Sequence, residues 1–371
     1  MKPAPRLLCL LTSMPFVLGA CATPGWRAIV VHRTAATIER IRTGHPDPTD
    51  PNLQAVSVDQ VGEVALMHFD GETTRSEVLY VNGTELTGLV IGDVDPSIPG
   101  EEIYVGGYLA GDKASEHGGA VFQIAVTADP AQRARVRRIW AGDAYVHSVE
   151  IIEPQRPGAR ARILASTYAG TLHALEQAAG GEWSDTVLHV EQPDADPERN
   201  KIKDLGFLAE SAGPRHVALV AFKTGRLLRI DLADAEAATY LLDEPGGLSR
   251  VTPDPDGGAY VTGYAGRLLH FNRTGDDFTY EVLDQEGTDS GLRGAVLGTF
   301  PAAGEVANLV VFGFHKRCRA LVPRLGVLDP VTLHVDLDRG HTIEAADLVP
   351  GNDADELLLG GYSRRVTLLR R

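Results

Sequence analysis

Cysteine is scarce in this sequence, with three residues in a chain of 371. Cys9 and Cys21 lie in the N-terminal segment, which leaves Cys318 in the body of the chain. One thiol cannot form an intramolecular disulfide, so the fold cannot depend on such a bond. The segment HKRCRALV aligns with AGRLLHFN, which places Cys318 at the position of Leu268. We expect it to be a small buried hydrophobic residue rather than a nucleophile.

Basic residues are in the minority. The chain has 35 Lys and Arg residues against 50 Asp and Glu residues, and its formal net charge is −15. Nucleic acids and anionic membrane surfaces are bound by clustered cations, so the composition argues against both as partners. The hydrophobic fraction of 43% is sufficient for a sizeable core. These numbers predict a globular body with a solvated acidic surface.

The first 20 residues have the pattern of a secretory signal. Lys2 and Arg6 precede an apolar run from Leu7 to Leu18, which Pro15 interrupts. A membrane-spanning helix needs about 20 consecutive apolar residues, so this run is too short to be one. We therefore expect residues 1–20 to be a signal peptide.

The sequence that follows resembles the lipobox of bacterial lipoproteins. It reads Leu-Gly-Ala-Cys and ends at Cys21. The resemblance implies that Cys21 becomes the lipidated N-terminal residue, with residues 21–26 as a tether. Ala22 follows the cysteine in place of an Asp, which in Gram-negative lipoproteins resembles an address for the outer membrane. Ordinary cleavage, with Cys21 incidental, is the alternative.

Repeated short apolar runs organise the remainder of the chain. Copies can be aligned at a tight turn, for example AYVTGYAGRLLHFN and ILASTYAGTLHALE. Successive copies begin 44 to 60 residues apart, a period typical of β-propellers with four short strands per blade. The residues just before the first apolar run of each copy are Glu39, Thr87, His147, Lys203, Ser249, Arg293 and His341.

The last copy, Gly340 to Arg371, has three apolar runs where the other copies have four. An isolated strand, RAIVVH at residues 27–32, can supply the fourth. Joining the two termini in one blade removes the open edge at the seam of the ring. We therefore predict an all-β propeller of seven four-stranded blades, with residues 27–371 as one domain. Six blades, closed by Glu77–Val81, is the alternative.

Two copies resemble FG-GAP or VCBS-type propeller repeats. The segments GLVIGDVDPSIPGEEIYVGGY and EAADLVPGNDADELLLGGY both have an Asp after the first strand and end in Gly-Gly-Tyr. The resemblance implies a propeller, and members of the family often bind calcium through a D-x-D-x-D-G loop. Pro96 and Ser97 break that pattern here. The weak calcium candidates are Asp93, Asp95, Asp353 and Asp355.

Propeller geometry predicts where a ligand would bind. The first strand of a blade begins on the same face as the turn between its second and third strands. We expect this face to combine basic residues with the aromatic turn residues, and to suit an anionic or hydroxyl-rich ligand. Pairing of the cations with nearby carboxylates is the alternative. The candidate ligand-binding residues are Glu39, His147, Lys203, Arg293, His341, Tyr168 and Tyr264; the other turn residues are Tyr108, Phe222, Phe314 and Tyr362.

Catalytic signatures are missing from the sequence. It contains no G-x-S-x-G, H-E-x-x-H, C-x-x-C or Walker pattern, so no catalytic residue can be assigned. The favoured hypothesis is a lipid-anchored binding or scaffold protein of the bacterial cell envelope, with an envelope protein or glycan as its ligand. The second is a propeller hydrolase or lyase with a funnel active site, possibly assisted by a metal. No cofactor is predicted other than the calcium considered above.

Overall fold

A computed structural model describes residues 25–71, 73–109, 117–154, 159–192, 200–208, 217–232, 238–243, 246–274, 277–285, 291–349 and 354–371. The predicted signal peptide and Cys21 lie outside the described residues, as does Asp353. Within the described ranges the regular structure consists of β-strands, without an α-helix.

The strands form seven antiparallel four-stranded sheets, which are the seven blades of a propeller. Blades 1 to 3 comprise β2 (Ile38–Gly44), β3 (Gln54–Asp59), β4 (Glu63–Asp70), β5 (Thr73–Val81); β6 (Leu86–Gly92), β7 (Glu102–Tyr108), β8 (His117–Val126), β9 (Ala134–Ala144); and β10 (Val146–Ile152), β11 (Arg162–Thr167), β12 (Thr171–Gln177), β13 (Trp183–Val190). Blades 4 to 6 comprise β14 (Ile202–Phe207), β15 (Val217–Phe222), β16 (Arg226–Asp231), β17 (Ala238–Asp243); β18 (Leu248–Pro253), β19 (Ala259–Gly263), β20 (Arg267–Thr274), β21 (Asp277–Gln285); and β22 (Leu292–Ala302), β23 (Glu305–Gly313), β24 (Arg317–Arg324), β25 (Val327–Val335). Blade 7 comprises β26 (Gly340–Ala346), β27 (Glu356–Gly361), β28 (Arg365–Arg370) and β1 (Arg27–Arg33).

Burial follows the position of each strand in its blade. Every residue of β3 and β15, the second strands of blades 1 and 4, is buried. The outermost strand β5 is mostly exposed or half-buried. A strand with neighbouring blades on both faces needs apolar residues on both faces, which explains the uninterrupted runs such as VALVAF at 217–222. The hydrophobic core therefore lies between blades.

The tight turns that defined the repeat are also confirmed. In six blades an amide three residues beyond the end of the second strand donates a hydrogen bond back to that strand, and the donor residue has positive φ. Glycine supplies this conformation without strain in four of them. The donor residues are Gly62, Gly170, Gly225, Gly266, Lys316 and Arg364.

The N-terminal strand closes the ring. β1 pairs antiparallel with β28, from Arg27 opposite Arg370 to Arg33 opposite Arg365. Trp26 is buried beside it, and its indole Nε1 donates a hydrogen bond to the carbonyl of Pro301 at 2.9 Å. The seven-blade prediction is therefore confirmed. The six-blade alternative is wrong, because β2 to β5 form a complete blade between blades 7 and 2.

Cys318 lies in the core between blades 6 and 7. It is fully buried and packs in one cluster with Phe312, Leu333 and Leu359. Burial raises the pKa of the Cys318 thiol well above its usual value. A thiol without thiolate character is a poor nucleophile, which confirms the expectation that this residue is a buried hydrophobe.

Removing β1 tests whether this strand closes the ring of blades. We predict that deletion of Arg27–His32 lowers the free energy of unfolding by about 3 kcal/mol or more, because buried Val31 and half-buried Ile29 lose their apolar contacts and β28 becomes an open edge. Deletion of residues 22–25 is the control and should have little effect. Urea denaturation of both variants measures the difference. Equal stability of the two deletions would show that β1 does not close the ring.

Candidate functional site

A β-bulge at the start of each innermost strand shapes the centre of the propeller. In every blade the pairing of the first two strands skips one residue, for example between Ile202 and Asp204 in blade 4. Bulges re-aim side chains and leave the extra residue unpaired in the ladder. The seven skipped residues, which we call the bulge ring, are Glu39, Thr87, His147, Lys203, Ser249, Arg293 and His341.

Backbone hydrogen bonds define two further rings on the same face. In each blade an amide at the end of the second strand or directly after it donates to the carbonyl of the residue just before the first strand. The donor residues, the turn ring, are Gln60, Tyr108, Tyr168, Lys223, Tyr264, Phe314 and Tyr362. The acceptor residues, the lead-in ring, are Thr37, Glu85, Tyr145, Lys201, Gly247, Gly291 and Arg339. We refer to the surface that carries these rings as the ring face.

One predicted turn residue is misplaced by a single position. Phe222 still belongs to β15, where it pairs with Ile202 and is fully buried. Lys223 occupies the turn-ring position of blade 4. Side chains of consecutive strand residues point in opposite directions. An error of one residue therefore puts the buried phenyl group of Phe222 where the basic side chain of Lys223 lies on the ring face.

Lys203 is buried among neutral and aromatic groups. Its Nζ lies 2.9 Å from Nε2 of His147 and donates a hydrogen bond to the Tyr168 hydroxyl at 2.7 Å. The imidazole of His147 stacks on the Tyr168 ring, with centroids 5.1 Å apart. Among the described residues, no carboxylate lies within 4.0 Å of this ammonium group. Burial, reinforced by the charges of Arg293 and Arg250, lowers the pKa of Lys203 to about 8.

Arg293 has a similar environment in blade 6. Its Nη2 lies 2.7 Å from Nε2 of His341, and its guanidinium carbon lies 4.6 Å from the centroid of the Tyr264 ring. His341 in turn contacts Glu39, with Nε2 at 3.3 Å from Oε2 and Nδ1 at 3.2 Å from the backbone carbonyl. Burial lowers the pKa of His341 well below its usual value, and the charge of Arg293 lowers it further. The imidazole is therefore neutral at pH 7.

The candidate residues thus meet at the centre, but they are mostly covered. Glu39, His147, Lys203, Arg293 and His341 are at most 7% exposed, whereas the Tyr168 and Tyr264 rings are half-buried and lie above them. The expected open funnel is filled by these side chains. The alternative considered from the sequence was that the cations pair with carboxylates. It does not hold for Lys203 or Arg293 among the described residues, and the contact of His341 with Glu39 is made by a neutral imidazole.

The outer part of the ring face is aromatic and basic. Tyr108 stacks on Tyr145 with centroids 4.0 Å apart, and Arg339 is exposed with its guanidinium 4.1 Å from the centroid of Tyr362. Lys201 lies over Tyr168 at 5.0 Å. Three cations of these rings were not predicted: Lys201, Lys223 and Arg339. Two of them stand two places before a bulge residue, which is a pattern visible in the sequence. The three rings together contain five basic and two acidic side chains: Lys201, Lys203, Lys223, Arg293 and Arg339, with Glu39 and Glu85.

A second layer of charges crosses the central channel below the bulge ring. Arg40 Nη2 lies 2.6 Å from Oδ1 of Asp204, which joins blade 1 to blade 4. Arg250 Nη2 donates to the backbone carbonyl of Glu39 at 3.3 Å, which joins blade 5 to blade 1. These residues immediately follow bulge residues, a signal that the sequence analysis missed. Direct contacts between opposite blades mean that the channel is narrow.

A third layer lies further along the same channel. Arg42 contacts Glu344 at 3.1 Å and Glu150 at 3.4 Å, and so connects blades 1, 7 and 3. Burial raises the pKa of both carboxyl groups, and the charge of Arg42 opposes that shift. Between the second and third layers lies a cavity of about 190 Å³, whose lining includes Arg42, Asp204 and Arg250.

The first calcium candidate, the loop that contains Asp93 and Asp95, does not have the free oxygen ligands of a calcium site. Asp95 Oδ1 accepts hydrogen bonds from the amide and hydroxyl of Ser97, and Oδ2 accepts from Gln177 at 2.6 Å. Calcium is held by oxygen ligands, and these carboxylate oxygens are already bound by hydrogen-bond donors. The carboxylate of Glu102 accepts from the amides of Val94 and Asp95 and fixes the same loop.

The second calcium candidate, of which Asp355 is described, has a loop with similar hydrogen bonds. Glu356 accepts hydrogen bonds from the amides of Leu348 and Val349, as Glu102 does in blade 2. Asp355 accepts from the amide of Thr299 at 2.6 Å and so links blades 7 and 6. Asp93 is exposed. Asp95, Asp355 and the two glutamates therefore act as turn and loop acceptors.

One further group of metal-ligand residues lies on the opposite face. Asp47, His68 and Glu77 bring their ligand atoms within 4.8 Å of one another. The guanidinium of Arg133 lies between the two carboxylates, at 2.6 Å from Asp47 and 2.8 Å from Glu77. Because this guanidinium already supplies the positive charge, the group fits an ion-pair network better than a metal site.

Comparison with known proteins supports the fold and assigns no family. No protein-family model matches the chain, and no curated protein matches it. The WD40 β-propeller domain of Doa1 is similar in structure, with a TM-score of 0.62 and 12% sequence identity, over 94% of this chain and 98% of that one. The β-propeller domain of Cps50 (Swd1) from Myceliophteria thermophila has a TM-score of 0.60 and 13% identity, over 92% of this chain and 99% of that one. At these identities the similarity shows a β-propeller and nothing finer.

Lys203 gives the stability of the protein a specific pH dependence. Its folded pKa of about 8 lies below its usual value of 10.5. Between these values the unfolded chain holds a proton that the folded chain has released, so the free energy of unfolding rises with pH. Burial raises the pKa of the Tyr264 phenol, but the charges of Arg293 and Lys203 outweigh burial and lower that pKa to about 8. The folded chain therefore also releases this proton before the unfolded chain does, and the free energy of unfolding again rises with pH.

We predict that wild-type stability gains on the order of 1–3 kcal/mol between pH 8 and pH 10 from this pair. Lys203→Met removes the contribution of the ammonium group, while Arg293 still lowers the pKa of Tyr264, so the gain should become clearly smaller without vanishing. Urea denaturation at pH 7, 8, 9 and 10 measures it. Lys316→Met, in an exposed turn, is the matched control and should keep the wild-type profile. Parallel profiles for all three proteins would contradict the prediction.

Proposed function

We propose that this chain is a lipid-anchored β-propeller of the bacterial cell envelope that binds an acidic or hydroxyl-rich partner on its ring face. The observation that carries the proposal is the concentration of Lys and Arg side chains among aromatic rings at the centre of one face, in a chain of net charge −15. A local reversal of charge directs complementary partners to one surface.

The exposed layer of the ring face has the composition of a binding surface. Arginine and tyrosine are the residue types most often found at energetic hot spots. Arg339 over Tyr362 and Lys201 over Tyr168 each pair a cation with the π-face of a tyrosine. The bulge ring lies beneath and is too buried to contact a macromolecule. An envelope protein or glycan would therefore contact Tyr168, Tyr264 and the outer rings.

The proposed anchor rests on the lipobox-like sequence that ends at Cys21. In the described residues, no helix is long and apolar enough to cross a membrane. The first strand begins at Arg27 and Trp26 is already buried in the core, so the predicted tether of residues 21–26 is shortened by one residue and would comprise residues 21–25. The FG-GAP or VCBS resemblance is supported by Glu102 and Glu356, which bind corresponding loop amides in the two similar copies.

One observation favours the alternative of a propeller hydrolase or lyase. Lys203 and Tyr264 both have a pKa of about 8, so each could exchange a proton near neutral pH. Lys203 is 7% exposed, and Tyr168 and His147 bind its ammonium group. A substrate would have to displace these contacts, so binding at the outer rings is the simpler proposal.

The anchor predicts membrane attachment. We expect Cys21→Ser to move the protein from the membrane fraction to the soluble fraction, while the melting temperature of the propeller stays unchanged. Fractionation and intact mass spectrometry measure this directly. A wild-type protein that is soluble and carries no acyl chain would disprove the anchoring proposal.

The ring face predicts where the partner binds. The soluble Cys21→Ser protein should bind at least one ligand in a panel of envelope glycans and acidic peptides, and higher salt should weaken binding. Arg339→Ala combined with Lys223→Ala should reduce that affinity about tenfold or more, as expected for hot-spot residues. The matched control is Arg75→Ala, whose side chain is 64% exposed on the outer strand of blade 1.

Biolayer interferometry can measure these affinities, and thermal unfolding checks that the variants remain folded. Equal loss in the double variant and in Arg75→Ala would point to general charge attraction. Undiminished binding in the double variant would place the partner site elsewhere on the propeller. Either result would overturn the assignment to the ring face.

A further inference from the structure

Among the residues that the structure describes, the axial channel contains buried polar atoms without a hydrogen-bond partner. We define the channel by the bulge residues and the residues that immediately follow them. Six such atoms occur there: Nε and Nη1 of Arg40, Nε and Nη1 of Arg293, Nδ1 of His147 and Oγ of Ser249. All four side chains are at most 2% exposed. A buried polar group without a partner is destabilising, so six in one narrow channel call for an explanation.

All six atoms can donate a hydrogen bond. The four arginine nitrogens carry protons at any relevant pH. The Lys203 ammonium donates to Nε2 of His147, which makes Nε2 the acceptor and places the proton of the neutral imidazole on Nδ1. The Ser249 hydroxyl can rotate to donate. Five of the six atoms can only donate, and the Ser249 hydroxyl can donate as well, so a group of acceptor oxygens could satisfy all six.

The buried charges show the same imbalance. Four cations line the channel at these positions: Arg40, Lys203, Arg250 and Arg293. Two carboxylates at these positions oppose them, Asp204 and Glu39. Asp204 is paired with Arg40 at 2.6 Å. Burial raises the pKa of Glu39, which disfavours its charged form. Arg250 is 4.0 Å from Asp204. Burial, with the neighbouring charge of Arg40, lowers the pKa of Arg250 to about 9. Unpaired buried charge is costly, and a bound anion would offset that cost.

The channel also has room for a ligand. The cavity of about 190 Å³ reaches Arg250 and Arg293 and is lined by Thr252 and Thr342 as well. A water molecule occupies about 30 Å³ in the liquid, so the cavity can hold a small oxyanion with several waters. Two carboxylates also line it. Asp204 is engaged by Arg40, and Glu344 by Arg42 at 3.1 Å, so each has its own cation.

From this geometry we infer that the axial channel binds one small oxyanion, such as inorganic phosphate, sulfate or the carboxylate of a small acid. Arg293 would bind it through Nε and Nη1, whose planar fork matches two oxygens. Ser249 would donate from blade 5, whose innermost strand β18 packs against β22. The site uses bulge-ring residues and the layer below them, and none of the turn-ring or lead-in-ring residues, so it does not depend on the proposed partner.

Anion-dependent stability tests this inference. The probes are sodium phosphate, sodium sulfate and sodium acetate, each compared with sodium chloride at equal ionic strength, and the three probes distinguish a tetrahedral anion from a carboxylate. For the full-length protein we expect one-site binding by calorimetry and a melting temperature that rises with at least one probe. A concentration of 100 times Kd should raise the ratio of folded to unfolded chain about 100-fold.

Three variants locate the site. Ser249→Ala removes one donor with minimal change in shape, and should weaken binding about three- to tenfold. Arg293→Lys keeps the charge but loses the planar fork, and should weaken it more than tenfold. Arg75→Gln on the outer strand should bind as the wild type does. A wild-type melting temperature that responds to ionic strength alone would overturn the inference, as would Ser249→Ala and Arg293→Lys variants that both bind every probe with wild-type affinity.

Discussion

The bulge between the first two strands of each blade is the constraint on which the centre of this propeller depends. A regular ladder would point alternate residues of the inner strand into the two blade interfaces. The extra residue lets two consecutive side chains, such as Lys203 and Asp204, reach the channel from one strand. Seven repetitions create a channel lined by charged side chains inside an apolar ring. The unpaired donors and the covered cations both follow from this repeated feature.

Apolar contacts between blades and polar contacts across the channel have different roles. Clusters such as Phe312, Cys318 and Leu359 hold adjacent blades together. The Arg40–Asp204 contact instead joins blades that lie on opposite sides of the axis. Such a pair is costly to bury and is compensated only if its hydrogen bonds are complete. Arg40 retains two unpaired nitrogens, so the polar centre is incomplete as it stands. A centre with unpaired donors is better explained by a role in binding an anion than by a role in stabilising the fold.

Much of the fold could be predicted from the sequence, because the period, the tight turns and the missing fourth strand in the last copy are all local patterns. The bulge ring could also be located, since its residues precede the first apolar run of each copy. The contacts within the ring could not. Whether Lys203 meets a carboxylate or His147 depends on side chains 56 residues apart, and no local pattern encodes that distance. The error at Phe222 has the same origin, because a shift of one residue is invisible in an apolar run but reverses the direction of a side chain.

Anomalous diffraction is the most direct measurement of the uncompensated positive charge at the centre. Crystals of the protein would be soaked in selenate, an analogue of sulfate with a strong anomalous signal. The account predicts a single axial peak within hydrogen-bonding distance of Arg293 and Ser249. Absence of the peak, with a carboxylate of the same chain bonded to Arg293 in its place, would show that the protein neutralises its own channel and would contradict the account.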